Sequence, residues 1–273
     1  MTGIEPASSA WKAEVLPLNY TRDVGDEIIS RAVLDQPVRS PTTSLHHNDG
    51  MYAQNILTAS LTPMYPTTTP AQSLWEWGYD GVEVGIWECA PGTLRGPTGD
   101  YDEMMCMVAG RVTVEHEDGE FDVAPGTTWV TPRKWHSTWT VHQTVRKLYV
   151  IDNRAGSSAP AAFLANAHTA VLGSPKPRAN PIKGDPHEST SELWVHNGLN
   201  VGVWEATPGS FPASRDGYDE VFICLSGAAT MTGSDGVRYD LSPGSVLLTP
   251  AGFTGRWDVT ETFRKVYCII KRS

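Results

Sequence analysis

Short apolar runs separated by turn residues make up most of the chain from about residue 73 onward. The runs are rich in Val, Ile, Thr, Tyr and Trp, and turn signals such as Glu117-Asp118-Gly119 and Ser234-Asp235-Gly236 punctuate them. This pattern predicts small antiparallel barrels. The Ala-rich stretch within Pro160–Leu172 is the exception, and it predicts one short helix. The chain before residue 70 is less regular, with one predicted strand over Tyr52–Leu61.

The chain also contains an internal repeat. At an offset of 117, two segments return: Val84-Gly85-Ile86-Trp87-Glu88 as Val201-Gly202-Val203-Trp204-Glu205, and Tyr101-Asp102-Glu103 as Tyr218-Asp219-Glu220. After a one-residue insertion the offset becomes 118, which matches Trp139 with Trp257 and Arg146-Lys147 with Arg264-Lys265. So many matches in register predict an all-β protein built from two tandem barrels.

The repeat divides the chain into four predicted regions. They are an N-terminal arm over residues 1–72, a first barrel over 73–155, a linker with a short helix over 156–190, and a second barrel over 191–273. The linker assignment rests on the density of Pro, Lys, Asn, Gly and Ser between Gly173 and Thr190.

One strand of each repeat is apolar on both faces. Strict alternation places Glu103, Met105 and Met107 on one face of the first, and Met104, Cys106 and Val108 on the other. An outer face in contact with water is expected to be polar, so another surface must cover this one. We predict that the two barrels pack against each other, and this packing is compatible with further dimerisation.

The charge of the chain narrows the choice of partner. A net charge of -10 and a pI near 5.2 disfavour phosphate backbones and anionic lipids. Met1–Lys12 lacks the apolar core of a signal peptide, and no apolar run is long enough to span a bilayer. We therefore expect a cytoplasmic protein that binds a small molecule. Its four cysteines have no C-x2-C spacing and are predicted to be free, mostly buried thiols.

Both repeats resemble cupin domains. The resemblance rests on a Gly-x-Trp-Glu start, a Tyr-x-Glu element and a Trp-(x)6-Arg-Lys-x-Tyr ending, and it covers residues 73–152 and 191–271. These elements are similar to the cupin subgroup that includes the ethanolamine-utilisation cupins. The resemblance implies two jelly-roll barrels. It does not imply one reaction, because cupins include dioxygenases, decarboxylases, isomerases, lyases, epimerases, storage proteins and sensors.

The family's metal site follows two motifs, G-(x)5-H-x-H-(x)3,4-E-(x)6-G and G-(x)5-P-x-G-(x)2-H. Glu103 and Glu220 fit the glutamate of the first motif, and Gly110 and Gly227 fit its last glycine. Its histidine positions hold Pro97, Gly99, Ser214 and Asp216, and those of the second motif hold Ser137 and Gly255. A lone carboxylate binds transition metals poorly. We therefore predict no metal and no other cofactor, unless histidines outside the motifs, namely His46, His47, His136 or His142, supply ligands.

The two glutamates are the candidate catalytic residues. Burial raises the pKa of a carboxyl group towards neutrality, which would suit Glu103 and Glu220 for general acid or base work, with Tyr101 or Tyr218 orienting them. The alternative is a structural carboxylate held by a hydrogen bond within the barrel. A second structural interpretation pairs the repeated arginines, Arg146 and Arg264, with Glu88 and Glu205.

A ligand-binding surface is predicted from the apolar and aromatic residues expected inside the cups: Trp129, Trp135, Trp139, Met105, Met107, Phe222 and Trp257. The tryptophans found in both repeats could equally be core residues. At the mouth of the first cup, Arg133, Lys134 and His136 are predicted to bind an anionic group, with His136 able to shuttle a proton. The alternative for this turn is a solvated loop.

The sequence thus predicts a metal-independent enzyme that transfers protons, as in elimination, isomerisation or cyclisation. A non-catalytic binding or sensor protein is the first alternative. A metal-dependent dioxygenase with displaced ligands is the second.

Overall fold

A computed structural model describes residues 52–63, 71–79, 81–96, 99–117, 119–154, 156, 159 and 161–272. Most of the predicted N-terminal arm, including His46 and His47, lies outside these residues. Within the described residues every regular element is a β-strand, which confirms the all-β prediction. Nothing in this part of the chain forms a helix capable of crossing a bilayer.

The first repeat forms an antiparallel sheet of nine strands. Its strands are β2 (Thr62–Pro63), β3 (Ala71–Tyr79), β4 (Val82–Cys89), β5 (Gly92–Arg95), β6 (Asp102–His116), β7 (Gly119–Val123), β8 (Thr127–Thr131), β9 (Thr138–Asp152) and β10 (Phe163–Asn166). The order is β10-β8-β6-β9-β4-β3-β2, with β5 on β9 and β7 on β6.

The second repeat forms an equivalent sheet of nine strands. Its strands are β1 (Tyr52–Asn55), β11 (Lys176–Pro177), β12 (His187–His196), β13 (Leu199–Ala206), β14 (Gly209–Ser214), β15 (Tyr218–Gly233), β16 (Arg238–Leu241), β17 (Ser245–Thr249) and β18 (Thr254–Lys271). The order is β1-β17-β15-β18-β13-β12-β11, with β14 on β18 and β16 on β15.

The motif glycines mark where β6 and β15 bend. Gly110 and Gly227 have φ angles of 85° and 82°, which L side chains rarely adopt. A Cβ at Gly227 would also lie 2.1 Å from the carbonyl oxygen of Thr262 on β18, and at Gly110 2.3 Å from that of Thr144. The register with the neighbouring long strand shifts beside each glycine. Only glycine therefore fits these two bends.

Alternation along β6 and β15 separates two kinds of core. Met105 and Met107 face the interior of the first barrel. Met104 and Cys106 belong to a different cluster, which also contains Val221 and other residues of the second repeat. The outer faces of the two sheets thus cover each other, which confirms the predicted packing of barrel on barrel. All four cysteines are buried and free, as predicted.

Each barrel receives a strand from the segment that precedes the other repeat. β1 pairs with β17 of the second barrel, and β10 pairs with β8 of the first. The turns after these strands share the pattern N-x-x-T-A-x-L, starting at Asn55 and at Asn166, 111 residues apart. Ile56 N donates to the carbonyl of Gly244 at 2.8 Å, and in the matching turn Ala167 N donates to the carbonyl of Gly126, just before β8, at 2.8 Å. The two barrels are therefore joined by backbone pairing as well as by apolar packing.

The two repeated arginines hold these turns. Arg146 Nε donates to Glu88 Oε2 at 2.7 Å, and its Nη1 donates to the carbonyl of Ile56 at 2.8 Å. Arg264 contacts Glu205 Oε2 at 3.2 Å and donates to the carbonyl of Ala170 at 2.7 Å. The predicted structural role of both arginines is confirmed, and their carbonyl partners show that they also fix the turns.

The predicted short helix within Pro160–Leu172 was wrong. Phe163–Asn166 is strand β10, and a turn follows it. Alanine has the highest helix propensity, but tertiary pairing outweighs intrinsic propensity, and here the backbone pairs with the edge of β8. The strand predicted over Tyr52–Leu61 exists as the shorter β1. The four-region division of the chain remains a prediction.

Candidate functional site

A buried ion pair lies inside the first barrel. Lys147 Nζ donates to Glu103 Oε1 at 2.6 Å and lies 3.0 Å from the sulfur of Met105. The two side chains are 7% and 4% exposed. Glu103 thus faces the cup, as alternation predicts, but the group beside it is an ammonium.

The second barrel has the same pair with an added cation. Lys265 Nζ donates to Glu220 Oε1. Arg215 Nε lies 3.3 Å from the other oxygen, Glu220 Oε2, and donates to Thr249 Oγ1 at 2.8 Å. All three charged side chains are at most 8% exposed. The second cup therefore carries two cations and one carboxylate.

Strand geometry explains why the lysines point inward. Lys147 and Lys265 each follow an arginine that faces outward, and successive side chains on a strand alternate between faces. In the register of the sheets, Lys147 lies opposite Trp87 and Met107. A role was predicted only for the arginine of each Arg-Lys pair. The same alternation, applied to the next residue, predicts that the lysine faces the cup.

Aromatic rings surround each ammonium. Lys147 Nζ lies 5.0 Å from the ring centroid of Trp87 and 5.1 Å from that of Trp139. Lys265 Nζ lies 4.3 Å from Phe222, 4.9 Å from Trp204 and 5.2 Å from Trp257. These distances are within cation–π range, so the rings partly replace the lost hydration of the lysine.

The charges in the second cup change its titration. Burial lowers the pKa of Lys265 from 10.5 to about 8, although the carboxylate of Glu220 acts in the opposite direction. Burial acts to raise the pKa of Glu220, but Arg215 and Lys265 outweigh it and hold that pKa below the usual 4.5. The prediction that burial brings the pKa of Glu220 towards neutrality was therefore wrong, because two cations lie beside its carboxylate.

The two predicted orienting tyrosines lie beside the cups. Tyr218 Oη donates to the carbonyl of Ser214 at 3.3 Å. Burial, followed by the charge of Glu103, raises the pKa of Tyr101. Tyr101 is therefore close enough to Glu103 for an electrostatic interaction with its carboxylate. The direct partner of each glutamate is nevertheless a lysine.

The predicted apolar ligand wall is tightly packed. Trp129 stacks on Trp139 with centroids 5.6 Å apart, and Trp135 meets Trp129 edge-on at 5.1 Å. Residues fully or almost fully buried in the two cups include Met105, Met107, Phe222 and Trp257. The structure thus brings the predicted wall residues together in the barrel cores. Five of them lie in the first barrel, and the other two, Phe222 and Trp257, lie in the second.

The predicted anion-binding turn separates into three environments. The backbone amide of Arg133 donates to Asp102 Oδ1 at 3.0 Å, and its guanidinium donates to the carbonyl of Arg154 at 2.6 Å. Lys134 is exposed, with its Nζ 3.9 Å from Asp100. His136 lines a depression of about 370 Å³ at the rim, together with Arg95, Glu115, His116, Glu117, Ser137 and Thr138.

The residues present do not fit the metal of the cupin motifs. No group of three or more His, Cys, Asp or Glu in the described part of the chain is arranged to hold a metal ion. One oxygen of each glutamate, Glu103 Oε1 and Glu220 Oε1, accepts a hydrogen bond from a lysine. A cation next to a carboxylate opposes the binding of a second cation.

Arg215 was missed because the motif was applied with only one of its two spacings. With four residues between the second histidine and the glutamate, Arg215 occupies that histidine position. The equivalent position in the first repeat, at an offset of 117, is Thr98, which lies outside the described residues.

Two packed barrels, each with a cup centred on one glutamate, define a bicupin. EutQ-like cupin domains match the chain over residues 79–149 and again over 197–267. The chain belongs to this family and contains its domain twice. No curated protein matches it in sequence.

Solved structures share the fold at low identity. A protein of unknown function from Pseudomonas syringae pv. tomato is 18% identical with a TM-score of 0.62, over 77% of this chain and 97% of that one. A putative glyoxylate-induced protein from Pseudomonas aeruginosa is 14% identical with a TM-score of 0.63, over 86% and 94%. Salicylate 1,2-dioxygenase from Pseudoaminobacter salicylatoxidans is 12% identical with a TM-score of 0.56, over 70% of each chain. These likenesses support the fold and no particular reaction.

Proposed function

We propose that this bicupin binds a small organic molecule and transfers protons without a metal ion, using the lysine–glutamate pair of a cup. The observation that carries the proposal is the hydrogen bond between a buried lysine and the inward glutamate in both barrels. Elimination, isomerisation and cyclisation all need such a transfer at carbon or oxygen. The proposal includes a cytoplasmic location and no nucleic-acid or membrane partner. A homodimer remains a prediction.

Lys265 is the base in this proposal, and Glu220 supports it. A lysine with a pKa of about 8 is partly neutral near physiological pH and can accept a proton. Glu220, with its lowered pKa, stays ionised and stabilises the ammonium that forms. This assignment moves the acid–base role from the glutamate to its partner.

Deuterium exchange tests the proposal without knowledge of the product. The protein is incubated in D2O with a panel of small 2-oxo acids, hydroxy acids and ketones, and loss of the proton signal next to the carbonyl or carboxylate is followed by NMR. We expect exchange with the native protein and none with Lys265→Met. Lys271→Met on the same strand is the matched control, because Lys271 is exposed. Exchange that persists in Lys265→Met would refute the assignment.

A non-catalytic binding or sensor protein is the second candidate. The observation in its favour is the close aromatic packing around both lysines, which suits a structural ion pair. In that case a compound of the panel binds, and no exchange accompanies binding.

A further inference from the structure

The second cup contains a guanidinium nitrogen that lacks a partner. Arg215 Nη2 is buried and has no hydrogen-bond partner, while its Nε and Nη1 donate to Thr249 Oγ1 at 2.8 Å and to the carbonyl of Ser214 at 3.0 Å. The side chain is only 6% exposed. Buried polar groups are almost always paired, so an unpaired donor on a fully charged group indicates an absent acceptor.

The rim of the barrel fixes this arginine in place. Its backbone nitrogen donates to the carbonyl of Phe253 at 2.9 Å, and its carbonyl accepts from Gly252 N at 2.7 Å. Both partners belong to the turn between β17 and β18. The backbone of Arg215 is thus fixed by the turn, and its guanidinium is held by Thr249 and Ser214. This order before any ligand binds reduces the entropic cost of binding.

The two cups differ in net charge. Lys147 and Glu103 sum to zero in the first cup, whereas Arg215, Lys265 and Glu220 sum to one positive charge in the second while Lys265 is protonated. The nearby Arg178 is already paired with Glu188, at 2.6 Å. An uncompensated buried charge is costly, and a bound anion removes that cost.

We propose that the second cup is the one that binds the substrate and that Arg215 anchors the carboxylate of a short organic acid. This inference rests on the proposed function. Guanidinium groups bind carboxylates in preference to neutral groups because charge-assisted bonds are stronger. Arg215 and Lys265 contact the two oxygens of the same glutamate. The guanidinium and the ammonium are thus separated by about the width of one carboxyl group. A substrate that suits this spacing is a short carboxylic acid with an acidic hydrogen beside its carboxylate or carbonyl.

Calorimetric titration of the full-length protein tests this inference. The probes are pyruvate, lactate, malonate and propionate, each compared with its neutral amide. We expect at least one acid to bind and its amide not to bind. Arg215→Gln should weaken binding by at least about tenfold, since a charge-assisted contact is lost. Arg256→Gln is the matched control, because Arg256 lies on the same barrel, 45% exposed and paired with Asp258.

The outcomes separate this inference from the proposed function. Binding lost in Arg215→Gln without deuterium exchange in the native protein supports the carboxylate site and refutes proton transfer. Exchange in the native protein with unchanged binding in Arg215→Gln refutes the carboxylate site and leaves proton transfer standing. Failure of all four acids to bind overturns the inference. Should Arg215→Gln not fold by circular dichroism, Arg215→Lys, which keeps the charge but not the fork of donors, is expected to weaken binding in the same direction.

Discussion

Replacement of Lys147 by methionine tests whether the ion pair of the first cup is one energetic unit. Methionine keeps much of the length of the lysine and removes its charge, so Glu103 is left as a buried carboxylate without its ammonium partner. Breaking a buried pair in this way costs about 3–5 kcal/mol. Glu103→Gln should cost less, about 1–2 kcal/mol, because the amide oxygen still accepts from the lysine and two aromatic rings still face it.

The double variant Lys147→Met/Glu103→Gln gives the decisive comparison. It has no unpaired charge, so we expect it to be more stable than Lys147→Met alone, with a coupling energy of about 2 kcal/mol or more. The measurement is urea unfolding followed by circular dichroism, with the slope checked for constancy across variants. Arg111→Met is the control, since Arg111 and Asp122 pair at the surface, 57% and 59% exposed, and such pairs contribute at most about 1 kcal/mol. Losses that add without coupling would refute the reasoning.

Three further predictions follow from the geometry. The rate of deuterium exchange should rise as the pH passes through about 8, because Lys265 loses its proton there. A rate that stays constant between pH 6 and 10 would contradict the assignment of Lys265 as the base. Arg264→Gln should lower the free energy of unfolding by about 2 kcal/mol more than Arg256→Gln, because its bonds to two turn carbonyls are lost, and equal losses would show that the turn does not need it. Gly227→Ala should lower the free energy of unfolding by several kcal/mol more than Gly252→Ala. Both glycines have φ near 83°, but only at Gly227 would the new Cβ lie 2.1 Å from a carbonyl oxygen. Similar melting temperatures for the two variants would contradict the predicted clash.

Acid stability gives the sign of the Glu220 contribution. A carboxyl group whose pKa is lower in the folded than in the unfolded state adds stability above the unfolded pKa, and that stability is lost as the pH falls further. Glu220 should therefore contribute stability above about pH 4.5 that disappears in acid. In Glu220→Gln, the free energy of unfolding, measured by urea unfolding at a series of pH values, should therefore fall less steeply below about pH 4.5 than in the native protein.

The fold could be predicted from the sequence because the repeat and the strand alternation agree. The same alternation that placed Glu103 inside the barrel also places Lys147 there, but it was not applied to the Arg-Lys pairs, in which only the arginine was considered. The repeated turns held by Arg146 and Arg264 were not recognised in the sequence because the two turns are 111 residues apart, whereas the barrel repeats are 117 or 118 residues apart. The helix prediction failed because pairing with β8 outweighs the intrinsic helix propensity of the Ala-rich segment. The longer spacing of the first motif would have placed Arg215 at a ligand position, but its contact with Glu220 also depends on the conformation of a rim turn, which spacing alone does not fix.

Anomalous diffraction from crystals soaked in zinc or manganese shows whether the lysine–glutamate pairs keep metal ions out of the cups. We expect no anomalous peak in either cup, with Lys147 and Lys265 in contact with Glu103 and Glu220. A peak about 2.0–2.2 Å from an oxygen of either glutamate, with the lysine displaced, would contradict this expectation.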